Sequence, residues 1–176
     1  MVKKVIIIIV ILIIAGAGSA DYLTHRVPFD EQPPKVGEAA PEIGLTDLGG
    51  TMHSLSDYKG KTIIVNFWAT WCPPCKDQLQ LFQRFYDEYE KDGLVILAFA
   101  IDHPDMKLVS ELGLTYPVFE VNERVKKAYG SIKSVPATFV IDPEGSIVEK
   151  TRRYYSEKTF RSLLTRYLKA NEKPGT

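Results

Sequence analysis

Two stretches of the chain are apolar without alternation, Lys61 to Phe67 and Leu94 to Ile101. Such runs are expected of central strands covered on both faces. Between them Leu79, Phe82, Phe85, Tyr86 and Tyr89 recur at helical spacing, and Asp77, Gln80, Arg84, Asp87 and Glu88 take the opposite side. The spacing predicts a helix from Pro73 to about Lys91, with Gly93 placed to end it. A strand, a crossover helix and a second strand make a right-handed βαβ unit with parallel strands.

The pattern continues on both sides. Upstream, Ile43 to Asp47 and Thr51 to Leu55 flank Leu48-Gly49-Gly50, a small hairpin, and Ser56 to Gly60 is a turn. Downstream, His103-Pro104 opens a short helix with Leu108, Val109 and Leu112 inward, and Pro117 to Val121 is a short strand. Asn122 is the expected N-cap of a helix over Glu123 to Tyr129, with Gly130 after it. Ala137 to Ile141 and Ser146 to Lys150 flank Asp142-Pro143-Glu144-Gly145, a turn that makes them antiparallel neighbours. Ser156 caps a last helix carrying Phe160, Leu163, Leu164, Tyr167 and Leu168 on one face. The sum is an α/β fold: a mixed sheet with helices on both faces, first βαβ, then a hairpin and a closing helix.

The N-terminus follows neither period. Lys3 and Lys4 precede an uncharged run, Val5 to Ile14, and then Ala15 to Ala20. A positive flank before an apolar run reads as an export signal, with the lysines kept in the cytoplasm. Residues 1–20 are read as an uncleaved membrane anchor, in preference to a signal peptide cleaved at Gly18-Ser19-Ala20. Either way the remainder lies outside the cytoplasm. Residues 21–40, polar and broken by Pro28, Pro33 and Pro34, read as a flexible tether; the domain spans 41–170, and 171–176 is a frayed tail.

Composition changes little. Among 176 residues, 45% are apolar and 25% charged, and the formal net charge is zero. Nothing in that balance points to nucleic acid. Two cysteines in a chain of this length are no disulfide framework.

Those two, Cys72 and Cys75, carry the candidate chemistry. They sit between a buried strand and a helix start, a recognised place for thiol–disulfide exchange. With Cys72 as N-cap, Pro73 and Pro74 fill the first two helical positions, where their missing N–H groups cost nothing. The Cys75 N–H is then the expected donor to the Cys72 sulfur, and the helix dipole adds positive potential there. Both effects favour a thiolate. Cys72 is expected as the exposed nucleophile and Cys75 as the recessed thiol that closes the internal disulfide. A purely structural bridge stays open, although one spanning two residues constrains little chain. So does a minor copper-transfer role, but no metal site is expected: structural zinc wants four ligands, and His25, His53 and His103 are scattered. No cofactor is expected. Of Trp68, Trp71, Tyr116 and Phe119, only Trp71, next to Cys72, is read as a groove residue.

Trp71-Cys72-Pro73-Pro74-Cys75-Lys76 after an apolar strand resembles the thioredoxin superfamily. Pro41-x-x-x-Leu45, Leu55 to Lys61, Val65 to Trp71, the extra segment between Ile101 and Val135, and Val135 to Gly145 resemble its extracytoplasmic TlpA/ResA-type branch. The resemblance implies a thioredoxin-like fold with an N-terminal hairpin and a central insertion. It makes Pro136 a cis-proline facing the cysteine pair, where it helps hold substrate. It implies a thiol–disulfide oxidoreductase acting on protein thiols and disulfides. Apocytochrome c is the leading substrate, with electrons supplied by a membrane protein.

Three positions depart from the pattern. Asn66 stands where many thioredoxins have a buried aspartate, and an amide cannot act as a base. Gln78 stands where cytochrome-c-related members often have a glutamate. Gln80 replaces a proline that kinks this helix in many relatives, so a straighter helix is expected. Asp102 and, more weakly, Glu120 are candidate proton acceptors for Cys75, with a helix-cap role favoured for Asp102. A thiol peroxidase of the related peroxiredoxin group is the competing activity. Against it, Val65 and Ala69 stand where that group has a proline and a hydroxyl.

Overall fold

The computed structural model describes residues 32–168. Strands β1 (Gly44–Thr46) and β2 (Met52–Ser54) form the expected hairpin, and a turn of 3-10 helix (Leu55–Tyr58) leads into β3 (Thr62–Trp68). Helix α1 (Pro73–Tyr89) crosses to β4 (Leu94–Ala100). The insertion supplies α2 (Met106–Glu111), β5 (Val118–Glu120) and α3 (Glu123–Ala128). Strands β6 (Ala137–Ile141) and β7 (Ile147–Thr151) and helix α4 (Glu157–Leu168) complete the domain.

Five strands form one sheet in the order β5-β4-β3-β6-β7. β3, β4 and β5 are parallel, and β6 runs antiparallel to both β3 and β7. β3 is central, and all seven of its residues are buried. Its alternate side chains feed two cores. Ile64 and Trp68 pack with Leu79, Phe82, Phe85, Phe160 and Leu164 in the layer of α1 and α4. Ile63, Val65 and Phe67 pack with Phe99, Phe119, Tyr129 and Phe139 in the layer of α3. This double burial is why β3 and β4 read as unbroken apolar runs.

Helix starts follow their capping residues. Asn122 Oδ1 accepts from Val125 N–H at 2.9 Å, and Ser156 Oγ accepts from Thr159 N–H at 3.2 Å, as expected. The start expected at His103-Pro104 lies too early: Asp105 accepts from Leu108 N–H at 2.8 Å and opens α2 at Met106. α1 runs unbroken through Gln80. In the β6–β7 turn, Asp142 Oδ1 accepts from Ser146 N–H at 2.8 Å, and Gly145 takes the left-handed φ of 90° that the turn requires.

The tether expected over 21–40 is corrected at its end. Gly37 N–H donates to Ile147 O (2.8 Å), Ile147 N–H to Glu38 O (2.9 Å) and Ala40 N–H to Gly145 O (2.9 Å). Lys150 Nζ donates to Pro34 O at 3.0 Å. Pro33 lies against Gly130 so closely that a Cβ there would meet Pro33 Cα at 2.4 Å. Residues 33–40 are thus a strap that covers the free edge of β7, because an unpaired strand edge offers hydrogen bonds to any passing chain. The expected segment at 1–20, the first part of the tether and the tail from Asn171 lie outside the described residues. No helix among the described residues is long and apolar enough to cross a membrane.

A polar cluster unforeseen from sequence stitches the hairpin. His53 Nε2 meets Asp47 Oδ2 at 2.9 Å, and His53 Nδ1 meets Tyr58 Oη at 2.5 Å. Burial pushes the Asp47 carboxyl upward, but donation from Thr51 N–H and His53 outweighs it and leaves the pKa below the ordinary 3.8. The folded value is depressed, so its stabilisation is complete above the ordinary aspartate value and is lost as pH falls through the lower folded one. Asp47→Asn is therefore expected to flatten the acid limb of a stability–pH profile measured by urea unfolding, while the neutral region keeps its shape.

Candidate active site

β3 delivers the chain to the site and α1 carries it away. Cys72 is the N-cap of α1, and Pro73 and Pro74 occupy the first two helical positions. Cys72 and Cys75 are joined in a disulfide, with Cα atoms 5.3 Å apart. Cys75 N–H and Lys76 N–H both donate to Cys72 O, at 3.1 and 3.3 Å. The expected cap bond from Cys75 N–H to the Cys72 sulfur is therefore replaced: the close of the first turn takes that donor to the carbonyl. The expected exposure of Cys72 is also smaller than anticipated, at 5%, because Cys72 and Cys75 both belong to the α1 core layer. The order holds, since Cys75 is fully buried.

The loop into the site is held from β4. Asp102 accepts from Thr70 N–H at 2.9 Å and from Thr70 Oγ1 at 2.6 Å. Asp102 is thus neither the cap of α2 nor bonded beneath Cys75; it fixes Thr70, two residues before Cys72. Glu120 instead meets His103 Nδ1 at 2.7 Å. Trp71 is 68% exposed, whereas Trp68, Tyr116 and Phe119 are core residues.

The β3–β6 register brings the second half of the site to the first. Phe67 pairs with Ala137, so the residue before it, Pro136, lies at the sheet end from which the chain leaves for Cys72. The Val135–Pro136 bond is cis, as the resemblance implied.

Behind the disulfide lies a buried network. Asn66 pairs with Thr138 across the same register. Asn66 Nδ2 donates to Thr138 Oγ1 at 2.9 Å and to Ala137 O at 3.4 Å. Gln78, one turn along α1 from Cys75, donates from Nε2 to the same Thr138 Oγ1 at 3.1 Å, and its Oε1 accepts from Tyr155 N–H at 3.2 Å. Asn66, Gln78 and Thr138 are each at most 1% exposed. Tyr155 in turn donates from its hydroxyl to Glu149 at 2.8 Å; burial, with help from that carboxylate, raises its pKa and keeps it a donor. Thr138 and Tyr155 were not singled out from sequence. The available signal was a hydroxyl two residues after Pro136 in an otherwise apolar strand.

Asn66, Gln78 and Thr138 are uncharged, so they hold α1 to the sheet without placing a carboxylate at Gln78, one turn from Cys75. Thr138→Val keeps the side-chain shape but strands Gln78 Nε2 and leaves Asn66 Nδ2 only its 3.4 Å bond to Ala137 O. At about 1–3 kcal/mol for a stranded buried group, urea unfolding is expected to show a loss of roughly 1–3 kcal/mol, with Thr138→Ser restoring most of it.

The AhpC/TSA family model matches residues 36–150. The thiol-disulfide oxidoreductase ResA of Geobacillus thermodenitrificans is 40% identical over 116 residues, which are 64% of this chain and 66% of that one. The match therefore spans about two thirds of that relative's length. ResA of Bacillus thuringiensis subsp. konkukian is 33% identical over 143 residues, 79% of this chain and 80% of that one. Among solved structures, a thiol:disulfide interchange protein of the thioredoxin family from Chlorobium tepidum superposes with a TM-score of 0.71 at 25% identity, over 77% of this chain and 98% of that one. A putative protein disulfide isomerase from Bacteroides thetaiotaomicron gives 0.67 at 26% identity, over 77% and 91%. With a disulfide at the first turn of α1 and a cis-proline at the same end of the sheet, the chain belongs to the AhpC/TSA family, has the thioredoxin fold, and shares the thiol–disulfide oxidoreductase class of its ResA relatives.

Proposed function

We propose that the chain is a membrane-tethered, extracytoplasmic oxidoreductase whose Cys72–Cys75 pair reduces disulfides of protein substrates, apocytochrome c among them. The observation that carries the redox reading is the disulfide itself, placed at the start of a 17-residue helix with Cys72 the less buried cysteine and Trp71 exposed beside it. The tether and the compartment rest on Lys3, Lys4 and the apolar run after them.

In the reducing direction the Cys72 thiolate attacks one sulfur of a substrate disulfide. A Cys72–substrate bond forms, and the other substrate sulfur leaves as a thiolate that takes a proton. Cys75, as thiolate, then attacks the Cys72 sulfur, and the second substrate sulfur leaves. The substrate gains two electrons and two protons, and the Cys72–Cys75 disulfide is restored. A membrane protein carrying reducing equivalents outward resets the pair. The helix dipole favours the Cys72 thiolate as both nucleophile and leaving group. Asn66 and Gln78, being amides, take no proton from Cys75.

Among the described residues, the peroxidase pattern is missing at two positions and no cluster of metal-ligating side chains forms. Val65 is buried within β3, and Ala69 offers no hydroxyl. His53 and His103 are engaged with Asp47 and Glu120.

Cys72→Ala is expected to lower disulfide reduction to the uncatalysed background. Cys75→Ala is expected to retain the first attack and accumulate a mixed disulfide, resolved on a non-reducing gel and identified by mass spectrometry. Capture of proteins with a Cys-x-x-Cys-His haem-attachment motif supports the substrate. Capture of other proteins alone overturns the substrate and leaves the reaction standing. Full activity in Cys72→Ala overturns the assignment of roles.

A further inference from the structure

The strap fixes where the chain enters the domain. Near its start Pro33 lies on Gly130 and Pro34 O accepts from Lys150 Nζ, and at its end Ala39 and Ala40 meet Ser146 and Gly145. Ser146 and Gly145 belong to the β6–β7 turn. The other end of that hairpin holds Ala137, paired with Phe67 near the end of β3, and Thr151, paired with Thr138. The strap therefore runs from the disulfide end of the sheet to the opposite end. The chain enters at the disulfide end, on the β7 side.

That corner is basic, although the whole chain has a formal net charge of zero. Lys133 lies in the loop before Pro136, Lys150 near the end of β7, and Arg152 and Arg153 just beyond it. Lys133, Arg152 and Arg153 are exposed, and none of the four is among the ion pairs of the described residues. Lys150 and Arg152 also rim a hollow of about 310 Å³ floored by Ile132, Ala137 and Phe139. The neighbouring carboxylate, Glu149, is taken by the Tyr155 hydroxyl. Asp102 and Asp105, which follow β4, and Glu120, the last residue of β5, lie on the other side of the disulfide. Two aromatic residues are open to solvent at this end: Tyr154 beside Arg153, 47% exposed, and Trp71.

We propose that this corner rests on an anionic lipid surface. Lys133, Lys150, Arg152 and Arg153 meet the headgroups, and Tyr154 sits at the interface, where amphipathic rings are favoured. The proposal rests on the tethered reading of the N-terminus. It deepens that reading by stating which face of the domain the membrane sees. Residues 21–32 reach at most about 40 Å when fully extended, so the entry corner is the part of the domain that the anchor keeps closest to the bilayer. Held this way, the disulfide lies at the edge of the lipid contact. A membrane-embedded thiol donor meets it from the basic side, and a protein substrate from the β4–β5 side.

The test uses the full chain in lipid nanodiscs, with Cys72→Ser and Cys75→Ser and one labelling site at a time. An environment-sensitive fluorophore is placed at Ser134→Cys, in the basic corner, or at Glu144→Cys, in the turn at the opposite end. Quenching by nitroxide-headgroup lipid is read in phosphatidylcholine discs with and without phosphatidylglycerol. In anionic discs the label at position 134 is expected to be quenched roughly twofold or more above that at 144. The excess is expected to vanish in about 0.5 M salt, where screening is nearly complete within a few ångströms. It is also expected to vanish in a variant carrying Lys133→Gln, Lys150→Gln, Arg152→Gln and Arg153→Gln. Equal quenching at the two sites, in a chain that still floats with the discs at high salt, overturns the docking face and leaves the tether intact. Loss of the chain from the discs at high salt overturns the tether and the docking face with it.

Discussion

The antiparallel pairing of β3 with β6 turns two distant stretches of sequence into one site. Phe67 opposite Ala137 sets Pro136 at the sheet end where the chain departs for Cys72. Asn66 opposite Thr138 sets the buried polar pair that Gln78 reaches down to from α1. A slip of one residue in this register would turn every β6 side chain to the opposite face. Ala137, Phe139 and Ile141 would then leave the α3 core, and Thr138 would leave Asn66 and Gln78. The two packed cores therefore protect the geometry of the redox pair, because any shift of β6 costs both at once.

Gln78 is the fastening between helix and sheet. Its amide both donates and accepts, so one side chain ties the first turns of α1 to β6 and to the backbone ahead of α4. A carboxylate at this position could accept the Tyr155 N–H but, ionised, could not donate to Thr138. The amide gives up proton chemistry and gains a second fixed bond. Asn66 only donates, from Nδ2 to Thr138 and Ala137, and its buried Oδ1 accepts no hydrogen bond. The charge that acts on the cysteines is thus left to the helix start, where two prolines carry no N–H and Cys75 N–H closes the turn on Cys72 O.

Much of this was legible in the sequence, because periodicity is a local signal. The unbroken apolar runs of β3 and β4, the 3.6-residue spacing of α1 and the Asp142–Gly145 turn each report on a few neighbouring residues, and each was found where it was read. Asn66 and Gln78 were noticed only as departures from a family pattern. Their shared partner, Thr138, depends on a strand register that no single segment encodes. Asp102 was read as a helix cap since it precedes a short helix, but its hydroxyl and amide partners on Thr70 belong to a different strand end. The strap reads as a tether in sequence because prolines mask a strand: Pro33 and Pro34 donate nothing to an edge, while Gly37, Glu38 and Ala40 do pair there. Cys72 is expected in the open from sequence, but packing around the first turn of α1 leaves the residue 5% exposed.

The proposed exchange requires two unequal thiols at one helix start. The direct measurement is the rate of alkylation of each cysteine in the reduced protein as a function of pH, followed residue by residue by mass spectrometry. Cys72 is predicted to react first, with an apparent pKa below the free-cysteine value of about 8.5, while Cys75, fully buried above an uncharged network, stays protected until higher pH. Titration of Cys72 at or above the free-cysteine value, or equal alkylation of the two, would contradict it.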